Sequence, residues 1–369
     1  MAPLPGLAGL LPGELAELLG LPPFRGVQIF KWISRGALSF DSMTDLPLSL
    51  RETLAEKYRI RTGSVKSRLE APDGTVKSAL AFGGGAGIEM VLLEDGRGRK
   101  TVCLSTQAGC PAGCVFCKTG TLGFRRNLSA AEIAEQFLFA GDLAPGISSV
   151  VVMGMGEPLL NLAELRRACA FLCHRDGPGI SPRRITVSTC GIADGIRDLA
   201  SGGPPVRLAL SLATADEELR RALMPITKAN PLPLLKEALL YFQERGGGRV
   251  TLEAVLLGGI NTGRKDARAM AAFARGLDVV VNIIPWNPVE GLVFSGLPLR
   301  EPSAGETAEF RRLLEQEGLK VTRRYRRGRG VSGACGQLGE SACTCAEAPR
   351  HGRTDKDADT PMTPAQPAV

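Results

Sequence analysis

Cys110-Pro111-Ala112-Gly113-Cys114-Val115-Phe116-Cys117 is the most informative segment of this sequence. It contains three cysteines, separated by three and then by two other residues. A structural zinc site needs four protein ligands, and the segment offers no fourth Cys or His. Three thiolates can instead hold three irons of a 4Fe–4S cluster and leave the fourth iron to another ligand. The alternative is a reduced, buried cysteine group, but Gly109 and Gly113 favour a tight loop over a packed helix.

The spacing of these cysteines resembles the CxxxCxxC loop of radical S-adenosylmethionine (SAM) enzymes. In that superfamily the open iron binds the amino and carboxylate groups of SAM. The resemblance implies that Cys110, Cys114 and Cys117 ligate one 4Fe–4S cluster per chain.

Composition narrows the class of protein. The chain has 369 residues, a formal net charge of +7 and a pI near 9.0, which favours an anionic partner. It has no run of eighteen apolar residues, so we expect no membrane span. Ten cysteines without a secretory signal predict a cytoplasmic protein whose cysteines act as ligands and catalytic thiols. With two histidines, the sequence offers little material for histidine-based catalysis.

The pattern of apolar residues predicts an α/β protein in four parts. Residues 1–60 read as a small helical accessory domain for RNA binding, with Asp45 as the cap of its third helix. Residues 61–100 alternate between polar and apolar types, which predicts a β meander extension. Residues 101–339 alternate strands and helices, and residues 340–369 read as a disordered tail.

The third part predicts a partial (β/α)6 barrel with a final edge strand at 320–322. Right-handed crossovers bring the ends of all parallel strands, and the loops after them, to one face. The cluster loop follows the first of these strands, so we expect the chemistry at that face. The six predicted strands lie near residues 101–105, 149–153, 184–188, 206–211, 250–255 and 279–283.

Other motifs indicate a narrower family. They are Phe24-Arg25-Gly26, Gly123-Phe124, Arg126-Asn127-Leu128, Met153-Gly154-Met155-Gly156-Glu157-Pro158, Pro285-Trp286-Asn287-Pro288 and Ala334-Cys335-Gly336-Gln337-Leu338. Over residues 12–339 the sequence resembles the dual-specificity 23S rRNA and tRNA adenine-C2 methyltransferases. That family modifies position 2503 of 23S rRNA and position 37 of tRNA. A sister group methylates C8 of the same rRNA adenine, but it differs at the Gly-Glu-Pro and Pro-Trp motifs.

The resemblance implies a radical mechanism that uses two SAM molecules per turnover. One SAM methylates Cys335, and a 5′-deoxyadenosyl radical from the other takes a hydrogen from that S-methyl group. The resulting methylene radical adds to adenine C2, and Glu89 accepts the C2 proton. Cys103 then attacks the protein–RNA thioether and leaves a transient disulfide with Cys335.

The same resemblance implies a set of SAM-binding residues at the strand ends. They are Gly156, Glu157, Ser188, Ser211, Leu212, Ala213 and Asn287. The family usually has histidine at position 213, so the alanine here removes a side-chain contact and leaves the backbone as the contact.

Implied partners are 23S rRNA, tRNA and a flavodoxin-like or ferredoxin-like one-electron reductant, and we expect a monomer. The target adenosine has to be unpaired or flipped out to reach Cys335. Candidate phosphate contacts are Arg25, Lys31, Arg35, Arg51 and the Arg323–Arg327 run, and a solvated charged surface is the alternative. A C8 methyltransferase, or an RNA-binding protein with a purely structural cluster, are the alternative functions.

Overall fold

The structure is a computed structural model, and it describes residues 4–83, 85, 87–323 and 327–339. The predicted tail at 340–369 and the centre of the basic run, Arg324, Tyr325 and Arg326, lie outside the described residues. Within the described part of the chain, no helix is long and apolar enough to cross a membrane.

The described residues form eleven α-helices and fourteen strands. The helices are α1 (Pro12–Leu19), α2 (Pro23–Ser34), α3 (Leu48–Lys57), α4 (Lys118–Thr121), α5 (Ala130–Leu143), α6 (Leu162–Cys173), α7 (Ala193–Gly202), α8 (Glu217–Leu223), α9 (Leu232–Glu244), α10 (Arg264–Ala274) and α11 (Ala304–Gln316). The strands are β1 (Ser64–Glu70), β2 (Val76–Ala81), β3 (Gly87–Glu94), β4 (Lys100–Cys103), β5 (Gln107–Gly109), β6 (Phe124–Asn127), β7 (Ile147–Val152), β8 (Ile185–Thr189), β9 (Arg207–Ser211), β10 (Val250–Leu256), β11 (Val279–Pro285), β12 (Val293–Phe294), β13 (Leu297–Pro298) and β14 (Val321–Arg323).

Ten of these strands form one sheet in the order β1-β2-β3-β4-β7-β8-β9-β10-β11-β14. The strands from β4 to β14 in this order run parallel, and β1 to β4 pair antiparallel. The predicted six-stranded partial barrel is therefore confirmed, with the meander added at one edge and β14 at the other. The small hairpins β5-β6 and β12-β13 were not predicted.

The parallel strands are rich in β-branched and apolar residues because both of their faces are covered. Val150, Ile185, Leu208, Leu252 and Val281 are each almost completely buried in one core. Each such side chain stabilises the fold by about 1.5–3 kcal/mol relative to an exposed one. The helices that follow the strands pack outside them, so the strand ends stay open at the face that carries the loops.

The N-terminal domain is helical, as predicted. Gly20 ends α1 in the left-handed conformation, with φ of 63°, and the glycine at position 26 lets α2 pass close to the carbonyl of Pro12. The predicted cap of α3 is wrong, because the N-cap position is Pro47 and has no side-chain cap. The Asp45 carboxylate instead accepts hydrogen bonds from Trp32 Nε1 at 2.6 Å and Gln28 Nε2 at 3.2 Å. It thereby joins the start of the third helical segment to α2.

A buried carboxylate joins the segment before β1 to the barrel. Glu135, on α5, is fully buried. Its Oε1 accepts hydrogen bonds from the amide and the hydroxyl of Thr62 at 2.8 and 3.0 Å, and its Oε2 accepts from the Gly63 amide at 2.7 Å. Burial raises the pKa of Glu135. Arg61, in the same segment, also pairs with Asp142 of α5, so two carboxylates of one helix fix the segment that connects the helical domain to the meander.

We expect Glu135→Ala to lower the free energy of unfolding by about 1–3 kcal/mol, because it removes the acceptor of these bonds. Urea denaturation measures the loss. Glu56→Ala, at an exposed site on α3, is the control and should change stability by less than about 0.5 kcal/mol. Equal losses in the two variants would show that the Glu135 contacts contribute nothing to stability.

Candidate active site

The three cysteines of the cluster loop lie in one cavity at the loop-bearing end of the barrel. Cys110, Cys114 and Cys117 all line this cavity, whose empty space of about 920 Å³ includes open solvent at its mouth. The loop is tightly folded: Gly109 has a φ of 73°, and a side chain there would collide with the carbonyl of Gly123. Glycine at this position is therefore required by the backbone, as the sequence indicated.

Burial controls the state of the three thiols. It raises the pKa of Cys110 to about 12 and raises the pKa of Cys114 and Cys117 above the ordinary thiol value. These thiols are neutral at physiological pH until a metal replaces their protons. The loop is consequently suited to bind a metal group and unsuited to act as an exposed nucleophile.

Opposite the cluster loop, the ends of β8, β9 and β10 present a polar row. Ser188 Oγ lies 3.2 Å from Ser211 Oγ and donates to Glu253 Oε2 at 2.9 Å. All three residues line the cavity. The sequence analysis missed Glu253, although a carboxylate between Leu252 and Ala254 in an apolar strand was a signal for a buried polar site.

Gly156 and Glu157 follow β7 and also line the cavity. Gly156 has a φ of 103°, and a side chain there would collide with Gln107. The buried Glu157 carboxylate accepts hydrogen bonds from Thr189 Oγ1 and the Cys190 amide, each at 2.7 Å. Burial raises the pKa of Glu157. Its side chain therefore fastens the end of β8 to the loop after β7.

The two residues after Ser211 behave differently from each other. Ala213 lines the cavity in the left-handed conformation, with φ of 58°, which is uncommon for a residue other than glycine. Its amide donates to the Glu253 carbonyl at 3.1 Å, and its carbonyl accepts from Asn261 Nδ2 at 3.1 Å. Leu212 is fully buried in the core and does not line the cavity, so the structure does not bring it to the site.

Cys335 approaches the cluster loop on a C-terminal segment that is docked by hydrogen bonds. Asn287 Nδ2 donates to the Cys335 carbonyl at 3.0 Å, and the Lys118 amide donates to the Gly336 carbonyl at 2.8 Å. Thr119 Oγ1 donates to the Leu338 carbonyl at 2.7 Å. Because Lys118 and Thr119 directly follow the third cluster cysteine, the cluster loop and the Cys335 segment form one unit.

A second cavity, of about 600 Å³, places Cys103 with Cys335. Cys103 ends β4 and is 7% exposed. Met153, Ile284, Asn287 and Cys335 line this cavity and the cluster cavity alike. The structure thus brings together two cysteines that are 232 positions apart in the chain. Sequence spacing alone did not pair them.

Comparison with known proteins identifies the superfamily and the family. A model described as "Radical SAM superfamily" matches residues 104–271, and one described as "Ribosomal RNA large subunit methyltransferase N-terminal domain" matches residues 13–60. A Treponema denticola protein named "Probable dual-specificity RNA methyltransferase RlmN" is 48% identical over 91% of this chain and 96% of its own length. The chain belongs to the RlmN family of radical SAM RNA methyltransferases.

Two further relatives agree with this assignment. The Anaeromyxobacter protein named "Dual-specificity RNA methyltransferase RlmN" is 40% identical over 88% of this chain and 87% of its own length. The crystal structure of a radical SAM methyltransferase from Sphaerobacter thermophilus superposes with a TM-score of 0.85. That protein is 37% identical, and the match covers 91% of this chain and 99% of the other. The predicted fold and family are therefore confirmed.

Membership in the radical SAM superfamily implies a 4Fe–4S cluster and SAM, and the cavity fits both. Among the described residues, no three His, Cys, Asp or Glu side chains are arranged around a single metal ion. For SAM, Asn287 offers a buried Oδ1 that has no hydrogen-bond partner within the described structure. A buried polar atom of this kind is a place for a ligand donor.

Glu89, expected as the proton acceptor of this RlmN-family protein, is fully buried on β3. Its Oε1 lies 3.3 Å from Nζ of the buried Lys77, and its Oε2 accepts a hydrogen bond from the Gly339 amide at 2.6 Å. It lines neither cavity. The interpretation of Glu89 as an ordinary exposed carboxylate on a strand is therefore excluded. Lys77 was not predicted as the partner of Glu89. The available signal was a charged residue in a strand that is otherwise largely apolar or small.

The predicted phosphate contacts of the N-terminal domain do not line either cavity, whereas one residue of the basic run does. In the N-terminal domain, Lys31 forms an ion pair with Asp176 at 3.2 Å, and Arg25 and Arg51 donate to nearby carbonyls. Arg327, at the end of the basic run, lines the cavity that contains Cys103. Cys190, which was not among the predicted site residues, is buried and lines the cluster cavity.

We expect Lys77→Met to lower the free energy of unfolding by about 3–5 kcal/mol, because it removes a positive partner of a buried carboxylate. The double variant Lys77→Met/Glu89→Gln should recover much of that loss, since the charge is then removed as well. Chemical denaturation of both variants measures this coupling. Lys66→Met, on exposed β1, is the control. If Lys77→Met costs no more than this control, the ion pair does not stabilise the protein.

Proposed function

We propose that this protein methylates C2 of adenosine in 23S rRNA and tRNA, with Cys335 as the methyl carrier and Cys103 as the resolving thiol. The observation that carries the proposal is the pair of joined cavities. One contains the three cluster cysteines, the other contains Cys103, and Cys335 lines both. An RNA-binding protein with a structural cluster has no need of this arrangement.

The chemistry of the substrate explains why a radical route is needed. Adenine C2 is an electron-poor ring carbon and does not attack the methyl group of SAM as a nucleophile. When bound, the cluster and SAM supply the methyl group and the radical that activates it. The stoichiometry that we propose is one cluster per chain and two SAM molecules per turnover, with electrons from a flavodoxin-like or ferredoxin-like protein.

The residues that line the cluster cavity offer hydrogen-bonding partners for the polar groups of SAM. Gly156 offers backbone that a side chain would otherwise cover, and Ser188, Ser211 and Glu253 supply hydroxyl and carboxylate oxygens on the opposite wall. Asn287 contributes its Oδ1. We propose these groups as the SAM contacts, together with the Glu157 backbone. For Ala213 the proposed contact is its backbone carbonyl, which uses one lone pair for Asn261 Nδ2 and has a second one for a ligand donor.

Cys335 carries the methyl group between the two cavities. Its position beside the cluster loop allows it to receive the group, and its position in the wall shared with Cys103 allows the later thiol attack. In that attack the Cys103 thiolate attacks the Cys335 sulfur and forms a disulfide with it. The bond from that sulfur to the methylene carbon breaks, and the base leaves with the electron pair and takes up a proton to complete its methyl group. The pair is returned to thiols by an external reductant.

Glu89 accepts the C2 proton in this proposal. Its carboxylate is tied to the Gly339 amide, four residues after Cys335, and it does not face the cavities directly. The base therefore becomes available when the segment around Gly339 moves away from it. Lys77 remains beside the carboxylate, with its Nζ 3.3 Å from Oε1.

RNA reaches the site from the cavity that contains Cys103. Arg327 lines that cavity, and its guanidinium adds a positive charge for phosphate. A base in a helical stack cannot enter a space of this size, so the adenosine is unpaired or flipped out. We propose that the N-terminal domain contributes further backbone contacts and that the protein acts as a monomer.

The product is tested by nucleoside analysis of rRNA and tRNA from cells that lack the gene and carry it again on a plasmid. We expect 2-methyladenosine only with the wild-type gene and with Cys173→Ala, a control cysteine outside both cavities. Cys110→Ala should give none, because the cluster lacks a ligand. Appearance of 8-methyladenosine instead would assign the protein to the sister activity, and unchanged RNA would contradict the proposal.

Cys103→Ala should accumulate a covalent protein–RNA adduct, because the thiolate that breaks the Cys335 thioether is absent. Cys335→Ala should form no adduct, since it lacks the carrier. A denaturing gel of each protein purified from cells, with and without ribonuclease, detects the adduct as a nuclease-sensitive band. Cys169→Ala, at another buried cysteine, is the control. Normal methylation by Cys103→Ala without any shifted band would rule out the resolving role.

A further inference from the structure

Arg220, on α8, is the largest side chain that is fully buried in this structure, with 0% exposure. Its guanidinium donates three hydrogen bonds to neutral acceptors. Nη2 donates to the Cys190 carbonyl at 2.6 Å, Nη1 to Thr227 Oγ1 at 2.6 Å, and Nε to the Leu212 carbonyl at 3.2 Å. Each of the three nitrogens thus has a hydrogen-bond acceptor, but none of these acceptors neutralises the positive charge.

No described carboxylate forms an ion pair with Arg220 within 4.0 Å. Glu217, one turn earlier on α8, is directed to Arg221 and to the Leu232 amide. Arginine keeps its proton in proteins, so the charge stays in place. A buried charge without an opposite charge costs several kcal/mol, and such groups are normally paired. A negatively charged group close to Arg220 would therefore lower the cost of burying it.

The neighbour that the fold provides is the cluster loop. The Val115 amide, between the second and third cluster cysteines, donates to the carbonyl of Leu223 at the end of α8. Cys190, whose carbonyl binds Arg220, lines the same cavity as the cluster cysteines. Burial lowers the pKa of Arg220, and the nearby side chains of Cys190, Cys114 and Glu217 act in the opposite direction. Three thiolates on a cluster would supply the missing negative charge.

We propose that Arg220 is a positioning residue that acts as the buried positive charge of the cluster and raises its reduction potential. The inference rests on the proposed function, because it assumes that Cys110, Cys114 and Cys117 hold a 4Fe–4S cluster. Reduction by an external one-electron donor adds one negative charge to the cluster. A fixed positive charge in a low-dielectric site stabilises that added charge.

A redox titration of the reconstituted protein, without SAM or RNA, tests this directly. At a fixed potential we expect the ratio of reduced to oxidised cluster to fall on the order of tenfold in Arg220→Gln, which corresponds to about 59 mV for one electron. Arg220→Lys keeps the charge and should stay within about threefold of wild type by the same scale. Arg221→Met, at the exposed neighbouring position, is the matched control and should match wild type.

The outcomes separate this inference from the proposed function. A wild-type protein that assembles no cluster would defeat the cluster assignment itself. An Arg220→Gln protein with full iron and sulfide content and a wild-type potential would overturn only the role of Arg220. If Arg220→Gln retains no cluster, iron content of Arg220→Lys decides the question. Retention by the lysine variant supports the charge, and loss in both variants assigns Arg220 to hydrogen bonding of the loop alone.

Discussion

The hydrogen bond from Asn287 Nδ2 to the Cys335 carbonyl joins the two halves of the candidate active site. Asn287 follows the sixth parallel strand of the barrel, whereas Cys335 lies on a segment that comes after the final edge strand. The same asparagine presents its Oδ1 to the cluster cavity without a partner in the described structure. One side chain thus positions the proposed methyl carrier and offers a ligand atom. The neighbouring Trp286 strengthens this link, because its Nε1 donates to the Phe116 carbonyl inside the cluster loop at 2.8 Å.

In this arrangement, the backbone amides and carbonyls of the loops need hydrogen-bond partners that regular secondary structure does not provide. Buried amides and carbonyls need partners, and here side chains from strand ends supply them. Thr119 and Asn287 bind carbonyls of the Cys335 segment, and Glu89 binds its Gly339 amide. Such bonds are specific in position but limited in number. These bonds hold the Cys335 segment in place over the cavity. Loss of the bond between Glu89 and the Gly339 amide would alter how the segment is attached.

Electrostatics divides the site into neutral and charged parts. Burial raises the pKa of the cluster thiols, which share their cavity with the carboxyl groups of Glu157 and Glu253. Lys77 and Glu89 form a buried ion pair, whereas Arg220 is buried with neutral acceptors. A buried charge costs less when its opposite is close, so these two cations have different roles. Lys77 forms an ion pair with a carboxylate of the protein, whereas we propose that Arg220 interacts with the negative charge of the bound cluster.

The sequence by itself determined the barrel, the meander, the helical domain and the cluster loop. These features follow from local patterns: the period of apolar residues, glycines at positive φ, and three cysteines at fixed spacing. Only the tertiary structure decided which distant residues meet. The cavity shared by Cys103 and Cys335, the burial of Glu89 against Lys77, the polar row that includes Glu253, and the exclusion of Leu212 all depend on how strand ends are arranged in space. Side-chain partners across a barrel leave no mark on local periodicity, because a strand residue's neighbours are set by sheet order and register.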